Sequence, residues 1–277
     1  MTCLAVAALI AAVGDARAQT QARTSDSVSR VRLTPQRWTV GGVPRSGLVA
    51  APIATDSLAS TRGVPLVFVF HGHGGSSAGI ARTLAVHTAW PEAMVVYLQG
   101  LPAPGRVVDP TGRLPGWQGA PGELGDRDLA LFDTVLAWAR HERRIDPGRV
   151  YAAGHSNGGL FTYVLWSQRG DVFAAFAPAA AAFGSMVESA KPKPAFIIAG
   201  RRDALVPFVV QQRSLDAALR LNQCAPEGTP WATDAVLHRS AVGADVVAYI
   251  HPGGHPLPAD AATQIVRFFK SVRVKPR

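Results

Sequence analysis

Cysteine is almost absent from this sequence of 277 residues, which contains only Cys3 and Cys224. Cys3 lies in a segment that we expect to be removed from the mature protein, so Cys224 has no partner for an intramolecular disulfide. A metal site built from cysteines is excluded for the same reason. We therefore expect a protein that takes its stability from a hydrophobic core.

Acidic residues are also few, because 19 Asp and Glu stand against 28 Lys and Arg, which gives a formal net charge of +9. The basic residues are scattered along the chain and accompany no nucleic-acid-binding motif. We therefore expect no nucleic-acid partner and interpret the charge as a solvated basic surface. Attraction to anionic envelope polymers or to acidic substrates is the alternative.

Long hydrophobic runs are missing as well. Residues 4–13 form an apolar segment that is too short to span a bilayer. The motif Ala16-Arg17-Ala18 follows it, and small residues in an A-x-A pattern are typical of a signal-peptidase site. We therefore predict that residues 1–18 are a cleaved signal peptide and that the protein is secreted or periplasmic in a bacterium. The start lacks the usual Lys or Arg, and a buried N-terminal helix is the alternative.

The rest of the chain has the length of one large α/β domain. Residues 19–35 are polar and rich in Ser, Thr and Arg, which predicts a disordered lead-in. Residues 36–277 contain no internal repeat and are expected to form a single domain. Residues 37–52 have the pattern of an edge hairpin that turns at Gly41 and Gly42.

Apolar runs rich in β-branched residues alternate with segments of helical periodicity in this domain. The runs predict buried strands at residues 65–70, 93–98, 150–153, 194–200 and 245–250. Four helices are predicted between and after them: one that ends at residue 84, one that begins at residue 126, and two over residues 208–221 and 259–271. This alternation is typical of a mostly parallel, doubly wound sheet with helices on both faces.

The segment 100–125 is dense in Pro and Gly and follows the end of a predicted strand. A loop of that length in a compact domain is usually functional or disordered, so we expect it to form one wall of a substrate cleft. Trp117 lies in its middle. The side chain is interpreted either as an apolar platform for substrate or as an anchor that holds the loop.

Residues 154–158, Gly-His-Ser-Asn-Gly, form a tight turn between a predicted strand and a predicted helix. The small residues Gly154 and Gly158 let strand and helix approach closely, which lifts the Ser156 hydroxyl above the sheet edge. The same turn directs the N–H of Asn157 and the helix N-terminus towards an oxygen that becomes negative during attack on a carbonyl. A glycine–serine turn without chemistry is the alternative.

Two further strand ends have polar residues suited to acyl transfer. Asp203 follows the strand that ends at Gly200, and His255 follows the last strand. In doubly wound sheets such residues meet at one edge. There His255 would take the proton of Ser156 and Asp203 would orient and stabilise the imidazole. The alternatives are His251 as the base, and a surface ion pair between Asp203 and a preceding arginine.

Residues 71–75, His-Gly-His-Gly-Gly, follow another central strand. Consecutive glycines allow backbone N–H groups to converge on one oxygen, so we assign the amides of His73 and Asn157 to an oxyanion hole. A dinucleotide fingerprint fails because position 77 is Ser. A metal site on His71 and His73 has no third ligand at a suitable spacing. We expect neither a metal nor a cofactor.

These motifs together resemble the secreted α/β-hydrolase esterases of the polyhydroxybutyrate depolymerase and feruloyl esterase type, over about residues 65–258. The resemblance rests on residues 71–76, 99–100, 116–118, 126–128, 145–147, 154–159, 173–178, 200–203, 206–207 and 253–255. It implies an α/β-hydrolase fold without a large cap domain. It also implies a serine carboxylic-ester hydrolase in which Ser156, Asp203 and His255 are catalytic. Relatives often pair cysteines near the site or have an added binding domain, and both are missing here, which argues against crystalline polymer as the substrate.

The function that these observations favour is hydrolysis of small or oligomeric esters, such as hydroxyalkanoate oligomers, feruloyl esters or acetyl esters. Two alternatives are a serine peptidase on the same fold and an envelope binding protein that has lost its chemistry. Peptidases of this fold usually have an added gating domain, which the sequence lacks. The retained order of Ser156, Asp203 and His255 argues against an inert protein.

Overall fold

The computed structural model of the protein describes residues 31–53, 63–105 and 108–273. The predicted signal peptide and the predicted lead-in up to residue 30 lie outside these residues. From Arg32 onward the chain forms one compact unit. Its first strand begins at Leu33, which pairs with Ala50. Residues 33–35 therefore belong to the sheet, and their assignment to a disordered lead-in is wrong.

The strands form one large sheet and one small one. A ten-stranded sheet has the order β1-β2-β4-β3-β7-β8-β9-β12-β11-β10, and β5 pairs with β6 separately. The strands are β1 (Leu33–Val40), β2 (Val43–Ala50), β3 (Val64–Phe70), β4 (Met94–Leu98), β5 (Leu101–Pro102), β6 (Pro115–Gly116), β7 (Ile145–His155), β8 (Ala175–Ala179), β9 (Ala195–Gly200), β10 (Thr229–Ala232), β11 (Ala235–His238) and β12 (Val246–His251).

The centre of the large sheet is parallel, as the alternating pattern predicted. Strands β4, β3, β7, β8, β9 and β12 pair in parallel, whereas β1, β2, β10 and β11 join the two sides in antiparallel fashion. The predicted hairpin at the start of the domain is confirmed as β1 and β2, with Gly41 and Gly42 at its turn. The carboxyl ends of the parallel strands therefore meet at one edge.

Helices cover both faces of this sheet. They are α1 (Ser77–Thr83), α2 (Val86–Ala89), α3 (Arg127–Glu142), α4 (Asn157–Arg169), α5 (Phe208–Leu221) and α6 (Ala261–Ser271), with 3₁₀ turns at Glu123–Asp126, Gly170–Val172 and Gly184–Ser189. On one face, Phe68 packs edge-on against Phe132 of α3 at 4.9 Å between ring centroids. On the other, Tyr151 stacks on Phe269 of α6 at 4.6 Å. None of the helices in the described ranges is long and apolar enough to cross a membrane.

Two elements of the sheet were not predicted. Strand β8 has the sequence Ala-Phe-Ala-Pro-Ala and is buried along its whole length between β7 and β9. Strands β10 and β11 form a hairpin in a region for which no strand was predicted. Strand β7 is also longer than predicted, because it starts at Ile145 and has a register shift against β3 near its beginning.

Candidate active site

Ser156 lies at the sharp turn between β7 and α4 that the motif predicted. Its φ is 56° and its ψ is −121°, and residues other than glycine rarely adopt a positive φ. A Cβ on Gly154 would lie 2.2 Å from the carbonyl oxygen of Gly158, and a Cβ on Gly158 would lie 2.3 Å from that of Phe70. Only glycine fits at either position, so strand and helix meet closely beneath the serine.

Asp203 and His255 are joined by a hydrogen bond of 2.8 Å between Asp203 Oδ2 and His255 Nδ1. The other carboxylate oxygen accepts hydrogen bonds from the N–H groups of Leu205 and Val206, both at 2.9 Å. Burial opposes ionisation of Asp203, but these hydrogen bonds outweigh it, so the pKa of the carboxyl group lies below its ordinary value. An ionised carboxylate can only accept a hydrogen bond, so Nδ1 of His255 carries the proton of this pair. The Nε2 atom is left free to accept a proton from another group.

The alternative partners of Asp203 are engaged elsewhere. Arg202 Nε donates to the carbonyl oxygen of Pro252 at 2.7 Å, and the Arg201 guanidinium lies over the ring of Phe208. His251, the alternative base, accepts a hydrogen bond at Nδ1 from the N–H of Gly253. The structure thus brings His255, and neither His251 nor an arginine, to the carboxylate.

The neighbour of the serine, His155, holds the loop of His255. Its Nε2 lies 2.8 Å from the carbonyl oxygen of His255, and the two imidazole centroids are 4.8 Å apart. Burial lowers the pKa of His155, so the ring is neutral and donates this hydrogen bond through Nε2–H. His155 therefore has a packing and hydrogen-bonding role. His255 is thereby held beside the turn at residues 154–158 that carries Ser156, which we call the elbow.

The Ser156 hydroxyl has no hydrogen-bond partner among the described residues. Hydrogen bonds between nucleophile and base are often long in unbound enzymes and tighten only when substrate is present. The elbow and the His255 loop therefore stand side by side with the serine open towards the cavity described below.

The loop 71–75 lies directly against the serine. A Cβ on Gly72 would be 3.3 Å from the Cβ of Ser156. Within the described part of the chain, no group accepts a hydrogen bond from the N–H of His73 or from the N–H of Asn157, which is the first residue of α4. Two free backbone donors near a serine are the arrangement that an oxyanion hole requires.

His71 has a structural role in the same loop. Its Nε2 accepts a hydrogen bond of 2.9 Å from the N–H of Gly100, and its Nδ1 donates to the carbonyl oxygen of Gly72 at 2.7 Å. Burial lowers the pKa of His71, which keeps the ring neutral. Both nitrogens are thus used within the protein. Across the described ranges, no three His, Cys, Asp or Glu side chains come together as a metal site would require.

A cavity of about 520 Å³ opens beside Ser156. One end is polar, where Ser156, His73 and Asn157 meet. The walls are mainly apolar and come from α4, the 3₁₀ turn after β8, the segment before α5, the first turn of α5 and the loops on both sides of β6. Their larger side chains are Leu160, Phe183, Met186, Leu205, Val206, Val210 and Val108. The size and lining of the cavity suit a group of low polarity beside the Ser156 hydroxyl.

Trp117 borders this cavity, yet its side chain is only 1% exposed. Its Nε1–H donates to the carbonyl oxygen of His71 at 2.9 Å, and its ring stacks on Phe161 with 5.6 Å between centroids. The ring faces the core and not the solvent. Of the two interpretations of Trp117, the structure favours the loop anchor over the substrate platform.

Gln211 supports the candidate site and was not identified from the sequence. It is 1% exposed, and its Nε2 donates to Asp203 Oδ2 at 2.9 Å and to the carbonyl oxygen of Val206 at 2.6 Å. Its Oε1 accepts from the N–H of Gly200 at 3.2 Å. A signal was present, because Gln211 shares the buried face of α5 with Leu215, one turn further along.

Comparisons with known proteins agree with this architecture. The sequence model of the Prolyl oligopeptidase family matches residues 117–193. A putative esterase, NocK, from Nocardia uniformis subsp. tsuyamanensis is 30% identical over 191 residues, which are 65% of this chain and 52% of that protein. The chain thus spans about half the length of this relative.

Solved structures give a similar result. The crystal structure of a thermostable esterase matches with a TM-score of 0.62 at 17% identity, over 87% of this chain and 63% of that chain. An acetyl xylan esterase from Aspergillus awamori matches with a TM-score of 0.59 at 14% identity, over 86% of this chain and 99% of that chain. The chain has the α/β-hydrolase fold, as its motifs predicted.

Proposed function

We propose that the protein is a serine carboxylic-ester hydrolase. The observation that carries the proposal is the hydrogen bond between Asp203 and His255, at the sheet edge where Ser156 occupies its strained turn. Similarity to a putative esterase and to esterase structures supports it. A buried carboxylate, a histidine and a half-buried serine that borders a cavity are the groups that ester hydrolysis needs.

In the proposed mechanism Ser156 Oγ attacks the ester carbonyl while His255 Nε2 takes its proton. Asp203 stabilises the imidazolium that forms, because it is ionised and hydrogen-bonded to Nδ1–H. The N–H groups of His73 and Asn157 donate to the oxyanion of the tetrahedral intermediate. His255 then protonates the departing alcohol, and the acyl-enzyme is hydrolysed by a water that the same histidine activates.

The proposed substrates are small or oligomeric esters with an acyl group of low polarity. The apolar walls of the cavity support this class. Acetyl esters, feruloyl esters and hydroxyalkanoate oligomers fall within it, and one structural neighbour is an acetyl xylan esterase. We also propose that the protein is exported, which predicts a mature N-terminus at Gln19 when the protein is purified from its native host and sequenced.

A second candidate is a serine peptidase, because the Prolyl oligopeptidase family model matches the segment that contains the elbow. Both activities use the same acyl-enzyme, so the leaving group separates them. An ester and an amide with the same acyl group should be offered to the enzyme in parallel. Measurable turnover of the amide supports the peptidase, and turnover of the ester without detectable turnover of the amide supports the esterase.

The test of the proposed function is labelling by a fluorophosphonate, followed by mass spectrometry. We expect one adduct, on Ser156, and loss of turnover in step with labelling. Ser156→Ala should abolish both. The matched control is Ser167→Ala in α4, the helix that follows Ser156; the Ser167 hydroxyl donates to the carbonyl oxygen of Val164 and lies outside the site. It should label and turn over like the wild type.

A panel of p-nitrophenyl acetate and butyrate, methyl ferulate, acetylated xylan and hydroxybutyrate oligomers identifies the substrate class. An adduct with turnover of one class would assign both mechanism and substrate. The absence of any adduct and any turnover in a folded protein would refute the esterase and favour an inert binding protein.

A further inference from the structure

A short segment, made of β6 and one residue on each side of it, is attached to the side chains of both residues assigned to the oxyanion hole. The attached segment is residues 114–117, which we call the strap. Its Pro115 carbonyl oxygen accepts a hydrogen bond of 2.7 Å from the N–H of Gly74, the residue after His73. The strap therefore lies against the loop that presents one of the free N–H donors.

His73 is connected to the strap through Asp109. The His73 ring is 7% exposed, and its Nε2 lies 3.1 Å from Asp109 Oδ2. The same oxygen accepts a hydrogen bond of 2.8 Å from the N–H of Leu114, the first residue of the strap. The Leu114 hydrogen bond is the main reason why the pKa of Asp109 is lowered to about 2, so the side chain is a carboxylate and the His73 ring donates to it.

Asn157 holds the strap from the other side. Its Oδ1 accepts from the N–H of Trp117 at 2.7 Å, and its Nδ2 donates to the carbonyl oxygen of Trp117 at 3.0 Å. Gly116 fits between the two side chains, because a Cβ there would lie 2.7 Å from His73 Nδ1 and 3.0 Å from Asn157 Oδ1. The imidazole and the amide thus enclose one short stretch of backbone.

We propose that Asp109 is a positioning residue for the oxyanion hole, which acts through His73 by fixing its ring, and with it the His73 N–H, against the strap. The Asn157 side chain fixes the second donor in the same way. This inference rests on the proposed function, since it concerns where the two N–H groups point during ester hydrolysis. Asp109 lies far from Ser156 in sequence and in the proposal touches neither substrate nor reacting atoms.

The experiment compares Asp109→Ala with the wild type in steady-state kinetics on a soluble ester. Removal of a whole oxyanion donor costs about 10²- to 10³-fold in kcat, and a displaced donor costs part of that. We expect kcat to fall about tenfold and KM to change by less than about twofold. Asp109→Asn should restore much of kcat, because an amide can still accept from Leu114 N–H and bond to the His73 ring.

A double-mutant cycle tests whether Asp109 acts through His73. His73→Ala keeps the backbone donor and removes the ring, so adding Asp109→Ala to it should cause no further loss of kcat. Effects that multiply would overturn the proposal. Asp133→Ala is the control, because it removes an exposed aspartate that pairs with Arg169 away from the cavity. It should leave kcat unchanged.

A readout without catalysis separates this proposal from the proposed function. Backbone ¹⁵N relaxation of residues 72–75 should give lower order parameters in Asp109→Ala than in the wild type, whether or not an ester is hydrolysed. If the wild type is inactive but Asp109→Ala lowers the order parameters, the esterase is refuted and the positioning role of Asp109 is retained. If the wild type is active and a folded Asp109→Ala variant has unchanged kcat and order parameters, the positioning role is overturned.

Discussion

Replacement of Ser156 by glycine should make the protein inactive and more stable. The residue has φ 56° and ψ −121°, which costs a residue with a side chain about 1 to 3 kcal/mol and costs glycine little. Ser156 forms no side-chain cap for α4, so no helix cap is lost with it. Most substitutions to glycine at ordinary positions do the opposite.

The magnitude follows from comparing two variants that both lack the hydroxyl. Relative to Ser156→Ala, Ser156→Gly relieves the backbone strain but loses about 0.4 to 1 kcal/mol through the greater freedom of the unfolded chain. The difference should favour glycine by about 1 kcal/mol. For a domain of this size that corresponds to a Tm higher by about 2 to 4 °C.

The assay is urea and thermal unfolding of both variants, followed by circular dichroism. The control pair is Ser167→Ala and Ser167→Gly in α4, where the backbone is helical. There glycine should be less stable than alanine by about 0.5 to 1 kcal/mol. If Ser156→Gly is also less stable than Ser156→Ala, the turn is not strained and the reasoning about the elbow fails.

Three further outcomes follow from the contacts around the site. Gln211→Leu removes a donor to the Asp203 carboxylate and leaves buried polar groups unpaired. The free energy of unfolding, measured in urea, should therefore fall by about 3 kcal/mol. An unchanged value would contradict the supporting role of Gln211. Trp117→Phe removes the N–H that donates to the His71 carbonyl oxygen but keeps an aromatic ring. The free energy of unfolding should fall by about 1 to 2 kcal/mol, and KM should stay within about twofold of the wild-type value. A raised KM at unchanged stability would favour the interpretation of Trp117 as a substrate platform. Burial lowers the pKa of His155 in the folded state, so the unfolded state binds more protons below about pH 6.5 and stability falls as pH falls, by up to about 1.4 kcal/mol per pH unit. Unfolding in urea at about pH 7.5 and about pH 5.5 measures this slope, which His155→Gln should reduce.

The parts of the fold that were predictable are those where local pattern and tertiary environment agree. Strands β3, β4 and β9 are continuous apolar runs, because both of their faces are covered, and α5 begins and ends where its periodicity indicated. The elbow was also predictable, since glycines flank the serine in a local motif, although the contact that requires Gly158 is made with Phe70 of β3.

Strand β8 was not predictable, because its sequence has low strand propensity. It is rich in alanine and contains Pro178, which has no N–H for a sheet. Small residues are needed there by packing: a Cβ on Gly159 of α4 would lie 2.5 Å from the carbonyl oxygen of Ala179. The helix thus lies almost on the backbone of β8. That requirement belongs to the tertiary structure and leaves no period in the sequence.

The supporting residues of the candidate site were missed for a related reason. Ser156, Asp203 and His255 follow strand ends, and such positions can be recognised in a sequence. Asp109 and Gln211 lie within a loop and a helix, and their partners are fixed by the path of the chain in space. The pairing of Asp109 with His73 spans 36 positions. No local pattern encodes it.

The hydrogen bond from His155 to the His255 carbonyl oxygen joins residues 100 positions apart, and this distance bears on the order in which the molecule folds. Contacts of such long range form slowly, since the entropy cost of closing the loop must be overcome before they contribute favourable free energy. Docking of β12 on β9 brings His255 to the elbow, so a chain in which only the earlier strands have assembled still lacks the proposed base. Recovery of the proposed activity during refolding would then report this docking step, whereas the fluorescence of the six tryptophans would report burial of the core around them. An incompletely folded chain would hold a serine that cannot yet attack esters.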